Sequence, residues 1–164
     1  MKTAVITGAS RGIGRAIAKA FALAGYSVVA TYNSDKDAAD SLIKELDGCD
    51  ITFCQLDVTD FDKVNSFSTE LLKNRAVDVL INNAGIARQK LFTDVTPDEY
   101  RKMMATNADS VFFVTQAFAR DMIKRHKGSI INISSMWGQV GASCEVDYSM
   151  SKAAVIGFTK ALAK

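Results

Sequence analysis

Residues 148–152 read YSMSK and put Tyr148 four positions before Lys152, so a phenol and an ammonium could act together on one proton. A phenol titrates near pH 10 and exchanges protons poorly at neutrality. An adjacent ammonium stabilises the phenolate, and a shift of about three units needs roughly 4 kcal/mol of differential interaction. Such a pair suits general acid–base chemistry at a carbonyl or alcohol oxygen. The stretch YNSDK repeats the spacing with Tyr32 and Lys36, two residues among only four tyrosines, so spacing alone selects neither pair.

The elements beneath the two pairs separate them. Tyr148 and Lys152 open a run with helical periodicity, where positions i and i+4 share a face, whereas Tyr32 and Lys36 straddle a strand end and a helix start. Ser134 and Ser135 end a strand-like run upstream of the tyrosine. In parallel sheets that location gathers ligands, although serine also forms turns there.

Along the chain, short β-branched runs alternate with helical patterns. Strands are predicted at 2–7, 27–32, 51–56, 77–82 and 129–134, with helices at 12–25, 35–47, 60–74, 97–126 and from about 148. The strands are nearly continuous apolar runs and every connection is helix-sized, which predicts a parallel sheet covered on both faces. The expected fold is α/β, a doubly wound Rossmann-like sheet of five strands in order 3-2-1-4-5. In TPDE, Thr96 reads as an N-cap, Pro97 as the first helical residue and Glu99 as its capping-box partner, while Gly25, Gly48 and Gly128 read as helix stops. With 164 residues, 48% hydrophobic content and a single proline, residues 1–164 are predicted to form one domain.

A net charge of +2 supplies no field for nucleic acid or an anionic membrane. The basic cluster KRHK at 124–127 reads as a helix end, and its His126 is the only histidine. Cys49, Cys54 and Cys144 lack the close pairing zinc needs, so no metal is expected. No apolar run approaches membrane-spanning length and the start lacks a signal-peptide pattern, which predicts a reduced, cytoplasmic protein.

The first strand runs into TGASRGIG, where Gly8, Gly12 and Gly14 allow a tight turn and let backbone N–H groups approach a pyrophosphate. The spacing differs from both the G-x-G-x-x-G fingerprint and the nucleoside triphosphate loop. At the end of the second strand, where NAD enzymes place a carboxylate for the ribose 2′-hydroxyl, stand Tyr32, Asn33 and Ser34. Arg11 could instead pair with a 2′-phosphate, which favours NADP(H) over NAD(H). Asp35 is expected in the first turn of the next helix.

The set TGASRGIG, LDVTD, LINNAGI, TNADSVFFVTQ, GSIINISS and YSMSKAAVIGFTKALAK resembles the short-chain dehydrogenase/reductase family, of the kind that includes bacterial 3-oxoacyl-[acyl-carrier-protein] reductases. The resemblance implies a carbonyl reductase acting on a thioester-linked substrate, possible carriage of that substrate on a protein, and a homo-oligomer. It implies a catalytic group of Asn107, Ser135, Tyr148 and Lys152, with a water positioned by Asn107 in a kinked helix and the nicotinamide ribose held by Lys152. Cofactor contacts implied are Gly8, Ser10, Arg11, Gly12, Ile13, Gly14 and Asn33, with Asp57 and Val58 at the adenine, Asn83, Ala84 and Gly85 along the cleft, and Tyr148 and Lys152 from the catalytic group. The poor helix formers of TNADS fit a kink at that place. The loop SSMWGQVGASCEVDYS, with Trp137, Cys144 and Glu145, also resembles reductases of a 5-aminopentanone adduct on elongation factor P, and Glu145 or Asp147 could there attract an amine.

Family members continue past the point where this chain stops, through a further strand, a substrate-covering segment and a last strand. The expectation is an open apolar edge on the fifth strand and an exposed small-residue stripe, Ala153, Gly157 and Ala161, on the last helix. A piece of a longer enzyme, a chain completed by a partner, and a non-catalytic dinucleotide-binding module all fit that pattern.

Overall fold

A computed structural model describes residues 1–164. Five strands, β1 (Thr3–Ile6), β2 (Ser27–Tyr32), β3 (Ile51–Gln55), β4 (Val79–Asn82) and β5 (Ser129–Asn132), form one parallel sheet in the order β3-β2-β1-β4-β5. The predicted order is found. β1 lies at the centre, where Val5 is in register with Val29 on one side and Leu80 on the other.

Alternation along the strands sends side chains to two cores. Ala4, Ile6, Val28, Ala30 and Ile81 pack under helices α1 (Gly12–Leu23) and α2 (Lys36–Glu45) through Ala18, Ala22, Leu42 and Leu46. Val5, Val29 and Leu80 face the opposite layer, where α3 (Phe61–Asn74) and α5 (Ser110–Arg125) contribute Val64, Val114, Phe118 and Met122. Strands buried on both faces explain the near-continuous apolar runs. Gly25 and Gly48 end α1 and α2 with φ of +80° and +85°. No helix is long and apolar enough to cross a membrane.

The predicted helix at 97–126 is continuous but not uniform. It begins as α4 (Pro97–Met104) behind a complete Thr96/Glu99 capping box, widens to one π-helical turn at Ala105–Asp109, and proceeds as α5. The irregularity falls on TNADS, as expected. Its far end differs from expectation, because His126 (φ +51°), and not Gly128, takes the left-handed position that closes α5. In that closing turn Arg125 pairs with Asp121 at 2.6 Å and donates to the Val77 carbonyl, so the basic cluster ties α5 to the entry of β4.

Two further elements shape the site. A short helix α6 (Trp137–Val140), which the sequence pattern did not reveal, precedes α7 (Val146–Leu162), which starts two residues earlier than predicted. β5 pairs only with β4 and leaves Ile131 43% exposed at the open edge. Ala153, Gly157 and Ala161 are exposed along α7.

Candidate active site

The carboxyl end of β1 turns sharply through the glycine loop into α1. A Cβ on Gly14 would collide with the Gly8 carbonyl oxygen and Asn83 Nδ2, and one on Gly8 (φ +66°) would sit 2.8 Å from Ala84 Cα. The loop is therefore clamped against the end of β4. Asn83 Nδ2 donates to the Thr7 and Gly8 carbonyls at 2.9 Å, and Thr7 Oγ1 accepts from the Asn83 and Ala84 N–H groups. In Gly14→Ala the new methyl meets backbone that cannot move aside. Overpacking of this kind costs about 1–3 kcal/mol, so the thermal midpoint should fall by several degrees and dinucleotide affinity, read by fluorescence titration, by about tenfold or more. An unchanged titration would show that the loop does not form the binding surface.

Between this loop, the tips of β2 and β3 and the end of β4 lies an open cleft of about 690 Å³. Gly8, Ser10, Arg11, Gly12, Ile13, Gly14, Asn33, Asp57, Val58, Asn83, Ala84 and Gly85 all line it, so the structure gathers every residue that the sequence nominated for the cofactor apart from the helix pair Tyr148 and Lys152. Arg11 reaches it with no ion-pair or hydrogen-bond partner for its guanidinium, whereas Arg15, one turn on, is engaged with the Ala38 carbonyl and Glu45 across α2. Asp35 also borders the cleft, but its Oδ1 caps α2 by accepting from Ala38 N–H at 3.0 Å. Lys102 and Thr106 complete the wall and were not foreseen. Their signal was available, since they stand four apart on a helix just before Asn107.

The second group begins where the cleft ends, at Gly85. The position a Gly85 Cβ would take lies 3.3 Å from Asn107 Oδ1 and 3.5 Å from Lys152 Nζ. Asn107 is fully buried in the π turn, with Oδ1 accepting from Ile86 N–H and Nδ2 donating to the Ile86 carbonyl, both at 2.8 Å, and to Ser151 Oγ at 3.1 Å. Its side chain thus pins the β4 loop against the π turn and the start of α7.

Lys152 is 5% exposed and has no carboxylate partner; Nζ donates to the Ile133 carbonyl at 2.9 Å and lies 5.8 Å from the centre of the Tyr148 ring. Burial pushes its pKa below the usual lysine value. The phenol oxygen of Tyr148 has no partner within the chain. Ser134 Oγ donates to the Lys152 carbonyl at 2.9 Å, whereas Ser135 Oγ only accepts, from Trp137 N–H at 3.2 Å, and so keeps its own hydrogen to donate. Gly138 seats α6 on α7, because a Cβ there would lie 2.6 Å from the Lys152 carbonyl carbon. The rival pair comes apart: Tyr32 is buried at the end of β2, while Lys36 turns outward to Asp40 at 2.6 Å, which raises its pKa.

The two carboxylates expected to attract an amine differ, because only Asp147 has its charge neutralised. Asp147 is buried and ion-paired to Arg88 at 2.7 Å, and Glu145 accepts from Gln89 Nε2 at 3.2 Å. The pairing partners come from the β4 loop, more than 50 residues away, where local sequence reading has no purchase.

The family profile described as short chain dehydrogenase matches residues 2–164. A 3-oxoacyl-[acyl-carrier-protein] reductase of Synechocystis sp. is 40% identical over an alignment that covers 99% of this chain and 67% of that protein. The 3-oxoacyl-[acyl-carrier-protein] reductase FabG of Staphylococcus aureus is 39% identical, with 99% and 68% covered, and the uncharacterized oxidoreductase YmfI of Bacillus subtilis 36%, with the same coverage. A crystal structure of a short-chain dehydrogenase from Streptomyces avermitilis superposes with a TM-score of 0.94 at 34% identity, covering 99% of this chain and 61% of that one. The chain thus spans about two thirds of the length of the curated relatives it matches and less of the solved one.

Proposed function

Because the chain belongs to the short-chain dehydrogenase family, we propose that it is an NADP(H)-dependent oxidoreductase that interconverts a carbonyl and an alcohol, with a 3-oxoacyl thioester as the carbonyl substrate. The observation that carries this reading is Lys152, a buried ammonium without a carboxylate, set against the Tyr148 ring beside a glycine-walled cleft. A cation desolvated in that way interacts strongly with any anion forming nearby, and the centre of the Tyr148 ring lies 5.8 Å from it.

The cleft fits a dinucleotide: its wall is a glycine loop packed tightly against the end of β4, where Gly8 and Gly14 leave no room for a Cβ, and Arg11 offers an unneutralised charge. A bound nicotinamide dinucleotide would supply the hydride. The chain supplies the rest. Tyr148 donates its hydroxyl proton to the substrate oxygen as charge develops there, Lys152 stabilises the phenolate left behind, and Ser135 donates a hydrogen bond to the same oxygen. In the oxidation direction the roles reverse. The thioester assignment rests on the relatives' names, and a homo-oligomer and a cytoplasmic location accord with the exposed small-residue stripe on α7 and the absence of a membrane-spanning helix.

Consumption of NADPH with an acetoacetyl thioester tests the activity. Turnover supports the reading; dinucleotide binding without turnover, unchanged in Tyr148→Phe, would put a binding module in its place. The cofactor preference is tested separately. A charged hydrogen bond contributes about 1.5–3 kcal/mol, so Arg11→Ala should weaken NADPH binding by roughly 10–100-fold and leave NADH affinity nearly unchanged. Equal losses for both dinucleotides would move the 2′-phosphate contact away from Arg11.

A further inference from the structure

The start of α7 is held in an unusual way. Glu145, at the N-cap position, makes no side-chain cap. Asp147 does the anchoring instead, although it is 5% exposed: Oδ1 accepts from the Tyr148 main-chain N–H at 3.0 Å and Oδ2 from Arg88 Nη2 at 2.7 Å. Arg88 extends to Glu99 at 3.2 Å, and Glu99 completes the α4 capping box while accepting from Lys90 Nζ. The Lys90 contact and the Thr96 amide pull the Glu99 carboxyl down to about 2, so this anchor stays charged at any working pH.

The four side chains carry two charges of each sign. Around them the main chain adds a Lys90 N–H to Cys144 carbonyl bond at 2.8 Å, and Asn107 grips Ile86 at the other end of the loop. Residues 86–90 therefore link the π turn, the cap of α4 and the first turn of α7.

We propose that Arg88 and Asp147 are positioning residues for Tyr148: the Arg88 fork, braced on Glu99, fixes Asp147 and with it the starting point and rotation of the helix that aims the phenol at the substrate oxygen. The proposal rests on the oxidoreductase reading above. Neither side chain touches the reacting atoms; each acts through the backbone of the residue that does. An aim error of about 1 Å is enough to cost on the order of 10²-fold in rate.

The experiment compares Arg88→Ala, Asp147→Ala, the double variant and Arg88→Lys. Turnover with NADPH and an acetoacetyl thioester is measured below every melting transition, beside NADPH titrations and hydrogen exchange of the Tyr148–Ser151 amides. Each Ala variant is expected to lower kcat by roughly 10–100-fold with NADPH affinity within about twofold, the double variant no further than the worse single one, and Arg88→Lys to an intermediate level. Amide exchange at Tyr148 should quicken in both Arg88→Ala and Asp147→Ala. Losses that multiply in the double variant, or kcat within about threefold of the parent in either single variant, would overturn the proposal. If the parent chain shows no turnover, the oxidoreductase reading fails on its own account. The exchange data then decide positioning alone, and unchanged protection at Tyr148 in Arg88→Ala overturns it.

Discussion

Tyr148→Phe is expected to lower kcat for thioester-ketone reduction by about 10²–10⁴-fold, the range for losing a positioned general acid. That is roughly 2.7–5.5 kcal/mol of transition-state stabilisation. Dinucleotide affinity should hold, because the phenol oxygen has no partner within the chain and the cleft walls come from other elements. The ring is retained in the variant, so its packing beside Lys152 survives and the fold should not suffer. A separation of kcat from cofactor binding is thus the diagnostic result, measured by steady-state kinetics beside an NADPH titration. If turnover survived in Tyr148→Phe, another group would have to supply the proton, and the central role given to YSMSK would be lost.

Lys152→Met should abolish most of the same activity while leaving the fold as stable as the parent at neutral pH or more so. The side chain is buried without a carboxylate, and burial depresses its pKa below the usual lysine value. Between the depressed folded pKa and the unfolded one near 10.5, the unfolded chain binds a proton that the folded chain does not, so this group's contribution to stability rises with pH across that window. Below the folded pKa the full penalty is present. Thermal or denaturant melts of parent and variant from neutral pH up to pH 10.5 should therefore show the parent gaining on Lys152→Met as the solution becomes alkaline. A parent that lost ground instead would mean that the ammonium is stabilised where it lies, and that the lost hydrogen bond to the Ile133 carbonyl outweighs the relieved desolvation.

Much of this arrangement was legible before any fold was drawn. Strands buried on both faces must be apolar throughout, and helix-sized connections between them force a parallel sheet; the order β3-β2-β1-β4-β5 is one of the common doubly wound arrangements compatible with those two facts. The capping box at Thr96 and Glu99 was readable because its partners are three residues apart. The π turn coincides with TNADS, where the local preference for helix is weakest. In a doubly wound sheet the carboxyl ends of β1, β2, β3 and β4 converge, so short motifs placed after each strand had to meet in one cleft.

Where expectation failed, the competing interaction was distant in sequence. Asp147 looked like a loop carboxylate open to an amine, but Arg88 lies 59 residues away and claims it. The bonds that both ends of the Asn107 amide make to the Ile86 backbone, 21 residues back, were equally out of reach of a local reading. His126 took the left-handed position that Gly128 had seemed made for, a choice set by where α5 meets the end of the sheet.

Residue order by itself determined the element types and the parallel sheet, because those follow from periodicity and capping, both local, while much of the cleft's membership was legible through the motifs' resemblance to a known family. Only the tertiary structure decided which of two serines keeps a hydrogen to donate, which of two tyrosine–lysine pairs converges, and which carboxylate is free, since a hydroxyl or a charge acquires its chemistry from the partners that folding brings to it.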